Sequence, residues 1–509
     1  MNIFVFKKQL IGSLLISLFL HLHADVPKAL STEINTAQET STFYESLLTN
    51  APQANEALLH LFFTKMPKGG DLHHHYSGSI YAETYLEWVA KKGWYIDTCT
   101  LRIIKNPKTT GCKLLTVKQL MSNALLYPKL LSLWSDKDYG KQTYNQPPPD
   151  SNFFNTFSYF EAVAYEYIDL GLHILKQRAL QENVSYIETI LSMVWVGSTH
   201  YFNTSTVNDY TTLLRSATSQ KEVDKILDKI STIYLDDKKF MTTIENYVEK
   251  LQKDHRGIDD ANFTMRYQTY AVRVLNPIQV FTNLLTGYLA AEHSPLIVGV
   301  NIVAPENNTV ALNDYTLHMR MYNYLARKYP TVHRALHAGE LTLGMVRPKN
   351  LTFHIAEAMD IAKAERIGHG VDLSYEQDAI RVLEEIKKHA AVEINFTSNA
   401  FILGVEGNKH PYLIYASYDV PLVISTDDSG VSRNNLTDEY MLLATKYQPT
   451  YRQIKSYIYN SIAYSFLNKE EKGLLKIDLD KRFITFEKEM GHLYKELKNN
   501  LNKGVSHGQ

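Results

Sequence analysis

Four short clusters of histidine and acidic residues could carry chemistry, because imidazole and carboxylate groups bind metal ions and move protons. Any one of these clusters is commonly a helix cap, a turn or a buried structural histidine. Their joint occurrence predicts a metal site with acid–base side chains beside it. The clusters are Asp71-Leu72-His73-His74-His75, His337-Ala338-Gly339-Glu340, Arg366-Ile367-Gly368-His369-Gly370 and Ser425-Thr426-Asp427-Asp428.

The first cluster lies at the end of an apolar run that reads as a β-strand. Alternate side chains of a strand face the same way, so His73 and His75 share one face and His74 points to the other. Two neutral imidazoles on one face form half of a typical zinc site. The pattern therefore predicts His73 and His75 as metal ligands and excludes His74.

The other three clusters also follow apolar runs. Glu340 comes three residues after His337, where the chain can turn back over a strand end. Glycines on both sides of His369 let the backbone approach a ligand closely. Asp427 and Asp428 are adjacent carboxylates, and burying them as unpaired core residues would be costly. We therefore expect these side chains to meet around one site.

Eight short apolar runs separated by longer helical stretches predict a closed (β/α)8 barrel, in which active sites lie at the carboxyl ends of the strands. Helices are predicted between them, for example over Asn350–Glu365 and Tyr375–His389. The clusters follow the first, fifth, sixth and eighth runs. The predicted strands are Gly69–His75, Val184–Leu191, Thr264–Val272, Leu296–Val303, His333–His337, Arg366–His369, Ala391–Phe396 and Pro421–Ser425.

A long insert is predicted after the first strand, over residues 76–183, with an inserted subdomain over 76–150 and a proline run at Pro147-Pro148-Pro149 that marks a junction. A second long connection, roughly 193–263, has the apolar spacing of solvated helices. The remaining predicted divisions are a helical N-terminal extension over 25–65, the barrel with extra C-terminal helices over 66–495, and a polar tail over 496–509.

The first 24 residues read as a secretory signal peptide, with Lys7 and Lys8 before an apolar run from Leu10 to Leu20. The alternative, a membrane anchor, needs roughly 20 apolar residues, and this run is shorter. Removing the segment deletes two lysines, which changes the formal charge from −1 to −3. We expect an exported protein that has no membrane attachment after cleavage and no basic excess for nucleic acid.

The chain has two cysteines, Cys99 and Cys112, both inside the predicted insert. An exported chain meets an oxidising compartment, so we predict that they form one disulfide. The alternative is two unrelated free thiols.

The clusters resemble the adenosine deaminase family in order and spacing. Met66-Pro67-Lys68 before the first cluster, Glu393 through Ser398-Asn399, and Asn460 through Leu467 continue the resemblance, which extends from about residue 64 to about 490. The N-terminal segment, the insert and its cysteines are similar to the secreted, growth-factor-type branch. That resemblance implies a homodimer, with residues 25–65 and the insert as candidate contacts.

The resemblance implies that one zinc ion is bound by His73, His75, His337 and Asp427, and that it activates water for attack on C6 of a purine nucleoside. His369 would orient that water or accept its proton. The remaining implied roles are proton donation to N1 by Glu340, a hydrogen bond to N7 from Asp428, and substrate contacts from Ser77, Gly78 and Ala304.

Two departures from the family pattern concern the substrate. Ser77, before Gly78, stands where the shorter members carry an acid that contacts the ribose, and Ala304 stands where the family has a glycine that offers its N–H to N3. Despite these departures, the resemblance implies hydrolytic deamination of adenosine and deoxyadenosine. Two alternatives remain open: an aminohydrolase for adenine, a modified adenosine or AMP, and a secreted binding protein without activity.

Overall fold

Eight parallel strands form the centre of the protein in a computed structural model that describes residues 28–49, 55–107, 111–141, 145–196 and 201–506. The strands neighbour one another in the order β1-β5-β6-β7-β8-β9-β10-β11. All eight predicted strands are confirmed, with ends shifted by at most a few residues. Their bounds are β1 Gly70–His75, β5 Tyr186–Ile190, β6 Thr264–Val272, β7 Ile297–Val303, β8 His333–Ala338, β9 Arg366–His369, β10 Ala391–Ile394 and β11 Leu422–Ile424.

The barrel closes between β1 and the residues after β11. His74 and Asp427 form a parallel bridge, in which the amide of His75 donates to the carbonyl of Asp427 at 3.0 Å and the amide of Asp427 donates to the carbonyl of His73 at 2.8 Å. This closure brings the first and last clusters of the sequence together. The predicted (β/α)8 fold is confirmed.

Helices cover the barrel, which explains why its strands read as nearly continuous apolar runs. Helix α15 shows the pattern, because Val382, Leu383 and Ile386 are buried against the barrel while its last turn is basic. The helices that follow the insert are α9 Thr204–Ser216, α10 Gln220–Leu235, α11 Lys238–Asp254, α12 Pro277–His293, α13 Thr309–Lys328, α14 His354–Asp360, α15 Ala379–His389, α16 Phe396–Leu403, α17 Tyr412–Ser417, α18 Leu436–Tyr447 and α19 Tyr451–Ala463.

The helix predicted over Asn350–Glu365 is too long. The structure has a 3-10 turn at Pro348–Leu351 and then α14, which begins at His354. Phe353 interrupts the two with a non-helical backbone, and the Glu376 carboxylate accepts hydrogen bonds from the amides of Ile355 and Ala356. The first amides of α14 thus donate to an acid from a later part of the chain, and no local pattern reveals this contact.

The insert folds as helices around a small antiparallel sheet in the order β3-β2-β4, which the sequence did not predict. The predicted disulfide between Cys99 and Cys112 is present. Helix α7 begins at Pro149, where the missing amide hydrogen costs no helical bond. The elements are α3 Tyr76–Ser79, α4 Ala82–Lys91, β2 Tyr95–Asp97, β3 Ile103–Ile104, β4 Leu114–Leu115, α5 Val117–Met121, α6 Leu126–Leu133, α7 Pro149–Ala164 and α8 Ile168–Gln181.

The two ends of the described chain pack on each other. Helices α1 (Lys28–Thr49) and α2 (Glu56–Lys65) meet the C-terminal helix α20 (Lys469–Ser506) through an aromatic cluster that includes Phe43, Phe62 and Phe486. Helix α20 continues into the segment predicted as a polar tail. The predicted signal peptide lies outside the described residues. Among the helices that the structure describes, none is long and apolar enough to cross a bilayer.

Candidate metal centre and active site

The four predicted metal ligands lie at the mouth of the barrel, where His73, His337 and Asp427 cluster with His369, and His75 clusters with Asp427 and Asp428. The Nε2 atoms of His75 and His337 are 3.1 Å apart, and Oδ1 of Asp427 lies 3.3 Å from Nε2 of both His73 and His75. These side chains come from β1, β8 and the turn after β11. His74 points away and contacts the Thr189 hydroxyl at 3.0 Å, as strand alternation predicts.

Buried acceptors orient two of these rings. Nδ1 of His73 lies 2.7 Å from the Glu393 carboxylate, and Nδ1 of His337 lies 2.8 Å from the side-chain oxygen of Asn301. An acceptor at Nδ1 places the ring proton there and leaves Nε2 with a free lone pair. Glu393 is held in turn by Arg366, 2.5 Å away. The network therefore turns the Nε2 atoms of both rings towards the centre.

The residues present fit a zinc ion. Nε2 of His73 is buried and has no hydrogen-bond partner among the described residues, which is costly unless a further group binds it. Three imidazoles and one carboxylate are a donor set that zinc accepts. Burial lowers the pKa of His75 to about 4, which keeps its ring neutral, as a ligand must be.

The backbone around the centre is strained at three side-chain-bearing positions. Ala304, His369 and Asp427 have φ angles of 83°, 70° and 62°, in the left-handed region that glycine prefers. Each such residue costs about 1–3 kcal/mol and persists only where the surroundings enforce it. Gly368 cannot carry a side chain, because a Cβ at this position would lie 2.7 Å from the His73 ring.

Glu340 lies beside the ligands and is 7% exposed. Burial, and then the negative charge of Asp427, raise the pKa of Glu340 to about 8, so its carboxyl is mainly protonated at neutral pH. Its Oε1 is 3.6 Å from Nε2 of His369. Glu340 can therefore donate a proton to a bound molecule.

A second buried acid, Glu306, holds the backbone that carries Glu340. Its carboxylate accepts hydrogen bonds from the amides of Gly339 at 3.2 Å and Glu340 at 2.9 Å, and it contacts Nδ1 of His354 at 2.6 Å. Arg273 lies 3.4 Å away. Burial alone would raise the pKa of Glu306, but the Arg273 charge and the His354 hydrogen bond lower it to about 2. Glu306 is thus a buried anion that holds the loop carrying Glu340.

Asp428 is buried, and its Oδ1 has no hydrogen-bond partner among the described residues. Burial and the neighbouring Asp427 raise the pKa of Asp428 well above its ordinary value. Gly78 lies against this carboxylate, because a Cβ at Gly78 would come within 1.5 Å of Oδ1. A protonated Asp428 can donate a hydrogen bond to an acceptor in the site.

A cavity of about 600 Å³ opens above the centre. Of the predicted substrate contacts, Ser77, Ala304 and Asp428 line it, whereas Gly78 is not among its described lining residues. The insert supplies one wall, an aromatic face of α7 at helical spacing. These residues are Phe153, Phe154, Phe157 and Phe160.

Sequence reasoning missed Glu306 and the aromatic wall. Glu306 follows β7 in the same way that the predicted acids follow their strands, so its place in the chain was an available signal. The phenylalanines have the spacing of a helical stripe, which is more often core than pocket. Only the folding of the insert over the mouth distinguishes these cases.

The fold and the site define a (β/α)8 barrel with a candidate metal site at the carboxyl ends of its strands. Residues 234–482, which include β6 to β11, match the family model described as adenosine deaminase. This part of the chain, slightly less than half of its length, is similar to the adenosine deaminase family.

Curated relatives show the same similarity over a shorter stretch. An adenosine deaminase of Clostridium kluyveri is 37% identical over 149 residues, which is 29% of this chain and 39% of that protein. An adenosine deaminase of Enterococcus faecalis is 34% identical over 151 residues, 29% of this chain and 41% of that protein. The chain therefore matches about two fifths of the length of these relatives.

Solved structures extend the likeness of the fold to most of the chain. An adenine deaminase of Arthrobacter aurescens has a TM-score of 0.52 at 15% identity and covers 82% of this chain and 98% of its own. An N6-methyl-AMP deaminase of Arabidopsis has a TM-score of 0.52 at 16% identity, with 83% and 99% covered. A Burkholderia ambifaria amidohydrolase with bound zinc has a TM-score of 0.51 at 14% identity, with 87% and 97% covered.

Proposed function

We propose that the protein is a zinc-dependent aminohydrolase that converts adenosine and deoxyadenosine to inosine-type products and ammonia. The observation that carries the proposal is the convergence of His73, His75, His337 and Asp427 beside the protonated Glu340. The family match over residues 234–482 and the adenosine deaminases among its relatives support the same reaction.

The zinc ion, when bound, supplies Lewis acidity that makes water nucleophilic at neutral pH. The protein's own groups do the rest. Glu340 holds a proton that it can pass to N1 of the purine, which makes C6 electrophilic. Asp428 needs a proton in order to donate to N7, since N7 is an acceptor, and its raised pKa supports that state. His369 faces both Glu340 and Asp427, where it can orient the attacking water.

The charge of the cavity favours a nucleoside over a nucleotide. Its described lining contains no lysine or arginine, and its acids are Glu161, Glu340, Asp427 and Asp428. A monophosphate needs arginine, lysine or a helix N-terminus to balance its charge. The volume of about 600 Å³ also exceeds what adenine alone would fill. These features support adenosine over AMP and adenine.

The test compares adenosine, deoxyadenosine, adenine and AMP with zinc-loaded protein, by loss of ultraviolet absorbance. We expect kcat/KM for adenosine to exceed that for AMP by at least about 100-fold, which corresponds to about 2.7 kcal/mol. H337A, which lacks one ligand, serves as the inactive control. Turnover of adenine without turnover of adenosine would contradict the proposed substrate.

A secreted binding protein without activity is the second candidate. The chain keeps all four ligand candidates and Glu340, whereas a decayed site is expected to lose at least one of them. If protein that contains one zinc ion per chain deaminates none of the four purines, the binding-protein interpretation replaces the proposal.

We also propose that the protein is exported and belongs to the secreted, growth-factor-type branch. Lys7, Lys8 and the apolar run after them support a cleaved signal, and the disulfide in the insert supports an oxidising compartment. Mass spectrometry of protein recovered from outside the cytoplasm should give an N-terminus near residue 25. An uncleaved, cytoplasmic protein would contradict this proposal.

A further inference from the structure

His369 is surrounded by different groups on its two ring nitrogens. Nε2 faces Oε1 of Glu340 at 3.6 Å and Oδ2 of Asp427 at 3.8 Å. Nδ1 faces the side-chain amide of Asn399 at 2.9 Å. The position of the ring proton decides whether His369 donates or accepts a hydrogen bond at the reacting atoms.

A chain of hydrogen bonds determines that position, and it begins at a backbone amide. The N–H of Tyr412 can only donate, and it donates to Nδ1 of His410 at 3.0 Å. A ring nitrogen that accepts carries no proton, so the proton of His410 is on Nε2. Burial lowers the pKa of His410 to about 4, which agrees with a neutral ring.

The second link orients Asn399. Nε2 of His410 lies 3.0 Å from the side-chain oxygen of Asn399 and donates to it. The amide nitrogen of Asn399 must then turn towards His369, and it donates to Nδ1 of His369. Asn395 presents a second amide nitrogen to the same atom at 3.5 Å. Because Nδ1 accepts, the proton of His369 is on Nε2.

We propose that Asn399 and His410 are positioning residues that hold His369 in the tautomer with its proton on Nε2. His369 then enters the reaction as a hydrogen-bond donor and not as a base at Nε2. His369, Asn399 and His410 are 1%, 0% and 3% exposed, so water does not offer an alternative partner. The proposal rests on the proposed function for its catalytic meaning.

The metal-ligand candidates have the opposite arrangement. Nδ1 of His73 and of His337 faces an oxygen acceptor, Glu393 or Asn301, so their protons are on Nδ1. Three histidines at the centre, His73, His337 and His369, thus have two different proton arrangements. A protonated Nε2 cannot bind a metal ion, which gives a physical reason why His369 is not a ligand although it lies beside the ligands.

The direct test is nuclear magnetic resonance of zinc-loaded protein labelled with ¹⁵N in the histidine rings, with H369Q used to assign the His369 signals. We expect a protonated Nε2 for His369 and His410, and a protonated Nδ1 for His73 and His337. In N399D the carboxylate becomes an acceptor, so the proton of His369 should move to Nδ1. A wild-type His369 protonated on Nδ1, or a spectrum unchanged in N399D, overturns the proposal.

Turnover provides the second measurement. N399D should lower kcat by about 10²- to 10⁴-fold, with KM within a few-fold and zinc retained, because the wrong tautomer faces the reacting atoms. H410F removes the hydrogen-bond donor to the side-chain oxygen of Asn399, so the Asn399 amide group can rotate by half a turn. This variant should give a smaller loss of kcat, about 10-fold or more. H410F also keeps the test open if N399D fails to fold.

H318F is the matched control. His318 is 1% exposed, and neither of its ring nitrogens has a hydrogen-bond partner among the described residues. Its loss should leave kcat and the His369 signals unchanged. Equal losses of kcat in H318F and H410F would show a merely structural effect and overturn the proposal. If the wild type deaminates no purine, the proposed function fails, while the ring-proton assignment is still decided by the spectrum.

Discussion

Replacing Glu306 by glutamine tests how the protein holds Glu340, the proposed proton donor. The carboxylate is fully buried and accepts hydrogen bonds from the amides of Gly339 and Glu340, next to Arg273 and His354. Glutamine keeps the shape of the side chain but removes its charge. Its NH2 group also cannot accept a hydrogen bond, so one of the two backbone amides loses its acceptor. The loop that carries Glu340 should therefore lose its anchor.

The magnitude follows from the pKa of Glu306. A fall from 4.5 to about 2 corresponds to about 3 kcal/mol, at about 1.4 kcal/mol per tenfold change in the acid constant. Breaking a buried ion pair costs about 3–5 kcal/mol, which agrees. We expect E306Q to lower the free energy of unfolding by about 3 kcal/mol at pH 7. Turnover should fall about 10- to 100-fold because Glu340 is displaced.

The pH dependence has a definite sign. The pKa of Glu306 is lower in the folded than in the unfolded protein, so its stabilisation is complete above about pH 4.5 and is lost as the pH falls through about 2. The difference in unfolding free energy between wild type and E306Q should be constant from pH 7 to pH 5 and shrink below that.

Urea unfolding followed by tryptophan fluorescence at several pH values measures this difference, with E376Q as the matched control. Glu376 is a buried carboxyl nearby that holds the start of α14, and burial raises its pKa to about 7, so glutamine resembles its protonated form. We expect E376Q to change stability by less than about 1 kcal/mol at pH 5–6 and to keep turnover. An E306Q effect below about 1 kcal/mol, or one that grows as the pH falls below 4.5, would refute the reasoning.

Three further predictions concern the centre, the strained backbone and the insert. E340Q should retain zinc and lose about 10²- to 10⁴-fold of turnover, since an amide cannot donate the acidic proton, whereas H337A should lose the metal itself. Metal analysis and kcat separate these outcomes, and near-normal kcat in E340Q would rule out its role as donor. A304G should raise the free energy of unfolding by about 1 kcal/mol, because relief of the positive φ outweighs the added chain entropy; unchanged or lower stability in urea would contradict this. A thiol titration of unfolded, unreduced protein should find no free thiol at Cys99 or Cys112, and two thiols would refute the pairing.

Local pattern was enough for the strands and for the clusters that contain the candidate ligands. The strands of a parallel barrel are short and buried on both faces, so they read as apolar runs, and polar residues just after them mark the mouth. Alternation within β1 was enough to separate His73 and His75 from His74, because that period depends on the backbone alone.

The tertiary structure decided what depends on elements that are distant in the chain. The His74–Asp427 bridge closes the barrel, Glu306 reaches the loop of Glu340, and Tyr412 orients His369 through His410 and Asn399. No period in the sequence encodes which strand ends and loops will meet. The aromatic wall of α7 and the late start of α14 belong to the same class, since each is set by a contact across the fold.

The sequence by itself therefore determined the barrel, the positions of its strand ends and the kinds of side chain at the centre. Only the fold decided which nitrogen of each histidine faces inward and which acid is charged, because both depend on the hydrogen-bond partners and the burial that packing creates.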